Sequence, residues 1–126
     1  LFNEIKSGRS MGIISKKHNF YSSAIVAGIL PIALGVAFAN KKNRNNKTVW
    51  VFIGDMTYET GIFHEVYKYA KNFKLKIKFV VEDNNLSTNS PTDKTWGRKT
   101  KPYKDITYYK YKRAFPHHGT GNWILF

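Results

Sequence analysis

Cysteine is absent from all 126 residues of the sequence. This absence excludes a disulfide-stapled scaffold and every metal site built on thiolates, and it makes a cytoplasmic chain the default expectation. Long apolar segments are absent too, since the most hydrophobic stretch, residues 24–39, has 16 residues and contains Pro31. A membrane-spanning helix needs about 20 apolar residues, so we predict a core helix packed on all sides rather than a membrane span.

Acidic side chains are scarce: eight Asp and Glu stand against 21 Lys and Arg, which gives a net charge of +13. Such a balance is typical of proteins that bind nucleic acid or an anionic surface. However, 17 of the basic residues are Lys, whereas phosphate-reading sites favour the bidentate fork of Arg, and the lysines are spread along the sequence. We therefore favour a solvated basic surface. A cationic nucleic-acid- or anionic-surface-binding module, and a basic face that docks an acidic partner or phosphorylated ligand, stay open as alternatives.

Hydrophobic patterning predicts an α/β fold in which a parallel sheet is flanked by helices. The β-branched and aromatic run at residues 48–53 predicts a strand covered on both faces, and residues 76–82 predict a second strand. Apolar side chains recur at helical spacing over residues 59–73, so the three segments are expected to form a right-handed βαβ unit. Residues 106–112 predict a third strand, and we expect residues 1–126 to form a single, partial domain.

The candidate chemistry lies where the first two predicted strands end. Asp55 comes after the first, and Asp83, Asn84 and Asn85 come after the second. In an open parallel sheet, ligands bind beyond the carboxyl ends of the strands. One carboxylate and one amide oxygen form a sparse, hard-oxygen set that suits Mg²⁺, which completes its shell with water and ligand phosphates. Because the N–H groups that open the next helix favour an anion, these features predict a diphosphate held through a divalent ion.

The spacing of these residues resembles the thiamine diphosphate signature Gly-Asp-Gly … Asn-Asn. Here Gly54-Asp55-Met56 is followed, after 27 residues, by Asn84-Asn85. The preceding segment also looks like that of α-type subunits of 2-oxo acid dehydrogenase E1 components, notably at Ile25-Val26-Ala27-Gly28 and residues 31–37. The transketolase cofactor domain is a more distant relative. The resemblance implies the thiamine diphosphate-binding fold, in a chain that is N-terminally truncated relative to the family.

Site residues follow from the resemblance position by position. It implies that the side chains of Asp55 and Asn84 and the carbonyl oxygen of Leu86 coordinate Mg²⁺. It further implies main-chain contacts to the diphosphate from Gly54, Met56 and Thr57, and positions beside the aminopyrimidine ring for Ala24 and Val26. The implied cofactors are therefore thiamine diphosphate and Mg²⁺, the protein supplying position and electrostatics.

Two histidines are the candidate catalytic residues. His117 and His118 follow the third predicted strand, roughly where the family has a His-bearing loop at its active site, and a structural or interface loop is the alternative. Met56 departs from the signature, because its second glycine is replaced by a residue that would be strained at a positive φ. This departure keeps open an inactive relative retained as an assembly partner.

The resemblance implies half of an active site, because no pyrimidine-binding domain is recognisable in the sequence. We expect a β-type, pyrimidine-binding partner subunit or domain to complete it within a hetero-oligomer. The expected reaction is decarboxylation of a 2-oxo acid, with transfer of the acyl or aldehyde unit to an acceptor. Transketolase-like two-carbon transfer from a ketose is the alternative within the same enzyme class.

Overall fold

Strands and helices alternate along most of the chain in the computed structural model, which describes residues 1–9 and 11–113. The helices are α1 (Phe2–Lys6), α2 (Ile29–Lys42), α3 (Asp55–Tyr58), α4 (Gly61–Asn72) and α5 (Thr92–Trp96). The strands are β1 (Ile14–Ser15), β2 (Phe20–Tyr21), β3 (Val49–Gly54), β4 (Ile77–Asp83), β5 (Leu86–Ser87), β6 (Ser90–Pro91) and β7 (Thr107–Lys110). The elements α1, β1, β2, β5, β6 and α5 are short and were not predicted from the sequence.

The central sheet has the order β3-β4-β7, and both pairings are parallel. Val51 pairs with Phe79 and Gly54 with Glu82 across the first pair, whereas Val81 pairs with Tyr108 across the second. The predicted α/β fold with a parallel sheet is therefore confirmed. Because the strands run the same way, β3 and β4 end side by side, which brings the residues after each strand together.

The hydrophobic core lies between the sheet and the two long helices. Its buried members are Ala27, Leu30, Ala33, Ala37, Val51, Ile53, Tyr58, Phe63, Val66, Ala70, Leu75, Phe79 and Val81. Trp50 and Phe52 alternate with Val51 and Ile53 along β3 and are more than half exposed, at 56% and 58%. The prediction that β3 is covered on both faces is therefore wrong for the described residues. Helix α2 packs against β3 and also against α4, so the two helices lie on the same side of the sheet.

Helix α2 differs from the predicted core helix in extent and in burial. Residues 24–28 are not helical, because Ala27 adopts a left-handed backbone with φ of 64°; the helix starts at Ile29. Pro31 is tolerated because it lies in the first turn, where its missing N–H breaks no helical hydrogen bond. One face of the helix is buried, with Leu30, Ala33 and Ala37. The opposite face is about half exposed, with Ile32, Val36 and Phe38, so the prediction of a helix packed on all sides was wrong. No helix in the described part of the chain is long and apolar enough to cross a membrane.

A break separates the two helices that connect β3 to β4. The pattern predicted one helix over residues 59–73, whereas the structure has the single turn α3 followed by α4. Thr60 begins α4 as its N-cap, its hydroxyl accepting the N–H of Phe63 at 3.3 Å. Glu59 lies in the break, and its carboxylate accepts the N–H of Thr100 in the loop after α5.

Candidate functional site

A cavity of about 400 Å³ lies beyond the carboxyl ends of β3 and β4. Seven of the eight sequence-predicted cofactor residues line it: Ala24, Val26, Gly54, Met56, Thr57, Asn84 and Leu86. They come from three separate parts of the chain, namely the irregular segment before α2, the β3–α3 junction and the turn after β4. The parallel register of β3 and β4 is what brings the last two parts together.

Asp55 is the predicted residue that does not line this cavity. Its side chain is 1% exposed, and neither carboxylate oxygen accepts a hydrogen bond from the described residues. The nearest opposite charge is the ammonium of Lys99, 3.2 Å from Oδ2, which is ion-pair distance without a well-directed hydrogen bond. A buried carboxylate without hydrogen bonds is costly unless a cation lies close to it, and both oxygens of Asp55 have lone pairs free to accept one.

Lys99 connects the ends of the two strands. Its ammonium lies 2.5 Å from Asp83 Oδ1 as well as near Asp55, and its side chain is 21% exposed. Burial by itself would lower the pKa of Lys99, but the hydrogen bond to Asp83 and the nearby charge of Asp55 outweigh burial and raise it. The cluster of Asp55, Asp83 and Lys99 therefore holds two carboxylates and one ammonium, a net charge of −1, directly behind the cavity.

Asp83 is the most fully bonded member of this cluster. Besides the Lys99 ammonium, it accepts the hydroxyl of Tyr108 at 2.7 Å and the backbone N–H of Asn85 at 2.9 Å. Burial would raise the pKa of Asp83, but these donors stabilise the carboxylate and hold its pKa below the usual value. Burial and the bond to Asp83 raise the pKa of the Tyr108 hydroxyl, which therefore stays a donor.

The loop that carries Lys99 is anchored by the residues that directly follow it. The Glu59 carboxylate accepts both the N–H and the hydroxyl of Thr100, at 2.9 and 2.6 Å. The Tyr58 hydroxyl donates to the carbonyl of Lys101 and accepts the N–H of Tyr103, both at 3.3 Å. Because Tyr58 and Glu59 lie two and three residues after Met56, the same stretch of chain that carries Asp55 also fixes the position of its counter-ion.

The turn after β4 presents Asn84, rather than Asn85, to the cavity. Asn84 Oδ1 accepts the N–H of Leu86 at 2.9 Å, which fixes the side chain and leaves a second lone pair. Asn85 has a left-handed φ of 61°, and its Oδ1 instead accepts the N–H of Asp93. Leu86 pairs with Pro91 in the β5–β6 hairpin, and a proline has no N–H to donate to a carbonyl.

Met56 replaces the second glycine of the signature without strain. It lies in the single turn α3 and is not among the described residues with a positive φ, so the strain considered from the sequence does not arise. Its N–H and that of Thr57 lie in the first turn, where amides have no partner within the helix. The Trp96 ring contacts the Met56 side chain, with Nε1 at 3.1 Å from the sulfur.

The donor set at this site fits a small hard cation. Asp55 offers carboxylate oxygens free of hydrogen bonds, Asn84 an amide oxygen and Leu86 a carbonyl, all of them ligands that Mg²⁺ accepts. The part of the chain that the structure describes contains no group of three His, Cys, Asp or Glu suited to a metal. His117 and His118, the predicted catalytic residues, lie outside the described residues.

A larger cavity of about 580 Å³ lies along the free edge of β3, bordered by Phe20, Trp50 and Phe52. Lys47 is the one charged residue in its described lining, and none of the predicted site residues lies there. Size alone would favour this cavity, but its described lining contains no carboxylate and no histidine. The smaller cavity, with its amide oxygen and the buried charges behind it, is the candidate site.

Sequence reasoning missed three residues of the site: Lys99, Glu59 and Tyr108. Lys99 stood in a lysine-rich loop, where nothing local distinguishes a buried ammonium from solvated ones. Glu59 was interpreted as a residue that starts a helix. The one usable signal was charge balance, since two carboxylates at adjoining strand ends need a cation nearby.

Comparisons with known proteins agree on one family. The profile described as "Dehydrogenase E1 component" matches residues 3–109. Among similar proteins, the pyruvate dehydrogenase E1 component subunit alpha of Rickettsia prowazekii is 33% identical over 81 residues, which cover 64% of this chain and 25% of the relative. The chloroplastic subunit alpha-3 of Arabidopsis thaliana is 37% identical over 84 residues, covering 61% and 20%. The chain thus spans about a quarter of the length of the curated relatives it matches.

Proposed function

The chain belongs to the dehydrogenase E1 component family and is similar to its α-type subunits, and on that premise we propose that it is the thiamine diphosphate- and Mg²⁺-binding module of an E1-like enzyme. The proposed reaction is decarboxylation of a 2-oxo acid, with the acyl or aldehyde unit passed to an acceptor. The observation that carries this proposal is the cavity beyond β3 and β4, lined by seven of the eight residues that the family signature assigns to the cofactor.

In this proposal Asp55, Asn84 and Leu86 hold Mg²⁺ through side-chain oxygens and a carbonyl. The unbonded oxygens of Asp55 support the assignment, because a cation would satisfy a buried charge that Lys99 reaches only at 3.2 Å. The Asn84 side chain is already fixed by Leu86, so little side-chain entropy would be lost on binding. Lys99 stays with Asp83 and keeps that carboxylate charged behind the metal.

The backbone at the start of α3 contributes a second part of the proposed site. The amides of Met56 and Thr57 lie in a first helical turn that borders the cavity, where their N–H groups are available to an anion. Ala24 and Val26 supply an apolar wall opposite. When bound, thiamine diphosphate would supply the carbon nucleophile that the 2-oxo acid requires, since none of the residues lining the cavity offers one.

A second chain or domain completes the proposed enzyme. Glu82 and Tyr111 are the titratable side chains among the described residues around the cavity, and both are already hydrogen-bonded: Glu82 accepts the Tyr109 hydroxyl, and the Tyr111 hydroxyl accepts the Asn84 amide. We therefore propose a β-type, pyrimidine-binding partner, with His117 or His118 acting on the substrate from the chain's own side.

The test is a decarboxylation assay on the protein purified with its partner, using a panel of 2-oxo acids and ketoses. Asn84→Ala should lower turnover of the preferred 2-oxo acid more than about tenfold at low Mg²⁺, and a higher Mg²⁺ concentration should restore part of it. Asn89→Ala, in the β5–β6 turn, is the matched control and should leave turnover unchanged. Activity on ketoses alone would favour transketolase-like transfer, and equal activity of Asn84→Ala and wild type would contradict the metal-ligand role.

A further inference from the structure

Two basic loops meet at the edge of the sheet opposite the cavity. One joins α2 to β3 and the other joins α4 to β4, so both lie at the amino ends of neighbouring parallel strands. They are in direct contact: the Lys41 ammonium donates to the carbonyl of Phe73, and the Lys76 ammonium donates to Asn46 Oδ1. The backbone N–H of Val49 also donates to the carbonyl of Lys76, at 2.9 Å.

The charge of this edge is of one sign. We define the basic edge by its exposed cationic residues, which are Lys41, Lys42, Arg44, Lys47, Lys74 and Lys76. Residues 41–54 and 66–81 together contain nine Lys and Arg and no Asp or Glu. Among the described residues, Asp105 is the carboxylate that reaches this end of α4, where it pairs with Lys71, a residue outside the basic edge as defined.

An exposed aromatic cluster borders the basic edge. Phe38, Tyr69 and Phe73 are each between 41% and 44% exposed and pack against one another, with the Tyr69 and Phe73 rings stacked at 4.3 Å. The carbonyl that accepts the Lys41 ammonium is that of Phe73, so the cluster and the basic edge are continuous. A surface that combines aromatic rings with exposed cations is complementary to a segment that combines apolar and acidic side chains.

We propose that the basic edge and the Phe38–Tyr69–Phe73 cluster form a docking surface for an acidic protein segment that carries apolar side chains. The surface lies one strand length, about 20 Å, from the candidate cofactor site, so an occupant leaves the cavity open. Five of the six cationic residues of the edge are Lys, which binds carboxylates as a mobile point charge. Nucleic-acid readers favour Arg, so a protein partner fits the composition better.

The test is fluorescence anisotropy of the full chain with a labelled Glu-rich peptide that carries two leucines. The triple variant Lys42→Gln, Lys47→Gln, Lys74→Gln should weaken binding about tenfold at low salt, because it removes half of the charges of the edge. The matched control replaces three exposed lysines elsewhere, Lys94, Lys101 and Lys112, with Gln, and should change the Kd less than about twofold. The affinity for the wild-type chain should fall as NaCl is raised.

A second pair of probes tests the apolar part and the class of partner. Replacing the two leucines of the peptide with serine should weaken binding to the wild-type chain severalfold. A single-stranded DNA of equal charge should bind more weakly than the leucine-bearing peptide. Equal loss of binding in the edge variant and the control variant would overturn the proposal in favour of a diffuse basic surface, and tighter binding of the DNA would replace the protein partner with a nucleic acid. Circular dichroism confirms that each surface variant is folded.

Discussion

Replacing Lys99 with methionine is the perturbation that bears most on the site. The substitution keeps most of the side-chain volume but removes the one ammonium that lies between Asp55 and Asp83. These carboxylates are 1% and 3% exposed, so neither can be neutralised by solvent. Removing one partner of a buried ion pair costs about 3 to 5 kcal/mol, and the 21% exposure of Lys99 places the expected loss near the lower figure, about 3 kcal/mol.

Urea unfolding followed by circular dichroism measures this loss as a change in the free energy of unfolding with the slope m unchanged. Lys101→Met is the matched control, since it removes a charge from the same loop in an exposed position, and it should cost less than about 0.5 kcal/mol. Mg²⁺ should stabilise Lys99→Met more than wild type, because the divalent ion replaces the missing ammonium. A loss of unfolding free energy below about 1 kcal/mol, or equal stabilisation of wild type and Lys99→Met by Mg²⁺, would refute the view that Lys99 neutralises the two carboxylates where a cation would bind.

Three further predictions concern stability. Because the pKa of Asp83 is depressed in the folded chain, the ionised Asp83 stabilises the fold fully above about pH 4, and this stabilisation is lost as the pH falls through the depressed pKa. Tyr108→Phe removes one donor to Asp83, so the loss of unfolding free energy at acid pH should be smaller in a pH series of this variant. Because the pKa of Lys99 is raised, its ammonium stabilises the fold up to about pH 10.5, and the free energy of unfolding should fall at higher pH as the ammonium loses its proton. Lys99→Met should abolish this alkaline loss of stability. Glu59→Gln should cost about 1 to 2 kcal/mol in urea unfolding, since it weakens charge-assisted bonds to Thr100, whereas exposed Glu65→Gln should be neutral. A neutral Glu59→Gln, or an unchanged acid limb in Tyr108→Phe, would contradict the assigned contacts.

The βαβ unit could be predicted because its signals are local. A run of β-branched residues and a helical apolar spacing each act within a few residues, and the parallel pairing of β3 and β4 follows from the helix between them. The predicted end of an element was less accurate where a single backbone angle decides it. The left-handed φ of Ala27, for example, delays the start of α2 to Ile29. The prediction that β3 is covered on both faces was wrong, because an apolar strand indicates only that both of its faces favour burial. It does not indicate that elements of the same chain pack against both faces.

The candidate site was predictable to the extent that a family signature marks it. Seven residues that line the cavity match the signature, but Lys99 has no place in it: its partner Asp83 is 16 residues away, and nothing in the loop sequence signals the contact. The basic edge was missed for a similar reason. Lysines that are spread along the chain meet only when parallel strands bring their loops to the same edge.

The most direct test of the account is a titration of the chain with thiamine diphosphate, followed by tryptophan fluorescence. Trp96 should report binding, because its ring nitrogen lies 3.1 Å from the sulfur of Met56, which lines the cavity. The titration compares wild type in Mg²⁺ with wild type in EDTA, Asp55→Asn and the exposed control Asp93→Asn, with the partner present if the chain alone binds weakly. We expect saturable binding for wild type and Asp93→Asn in Mg²⁺, and its loss in EDTA and in Asp55→Asn. Binding that persists unchanged in EDTA and in Asp55→Asn would contradict a cofactor held through a metal at the ends of β3 and β4.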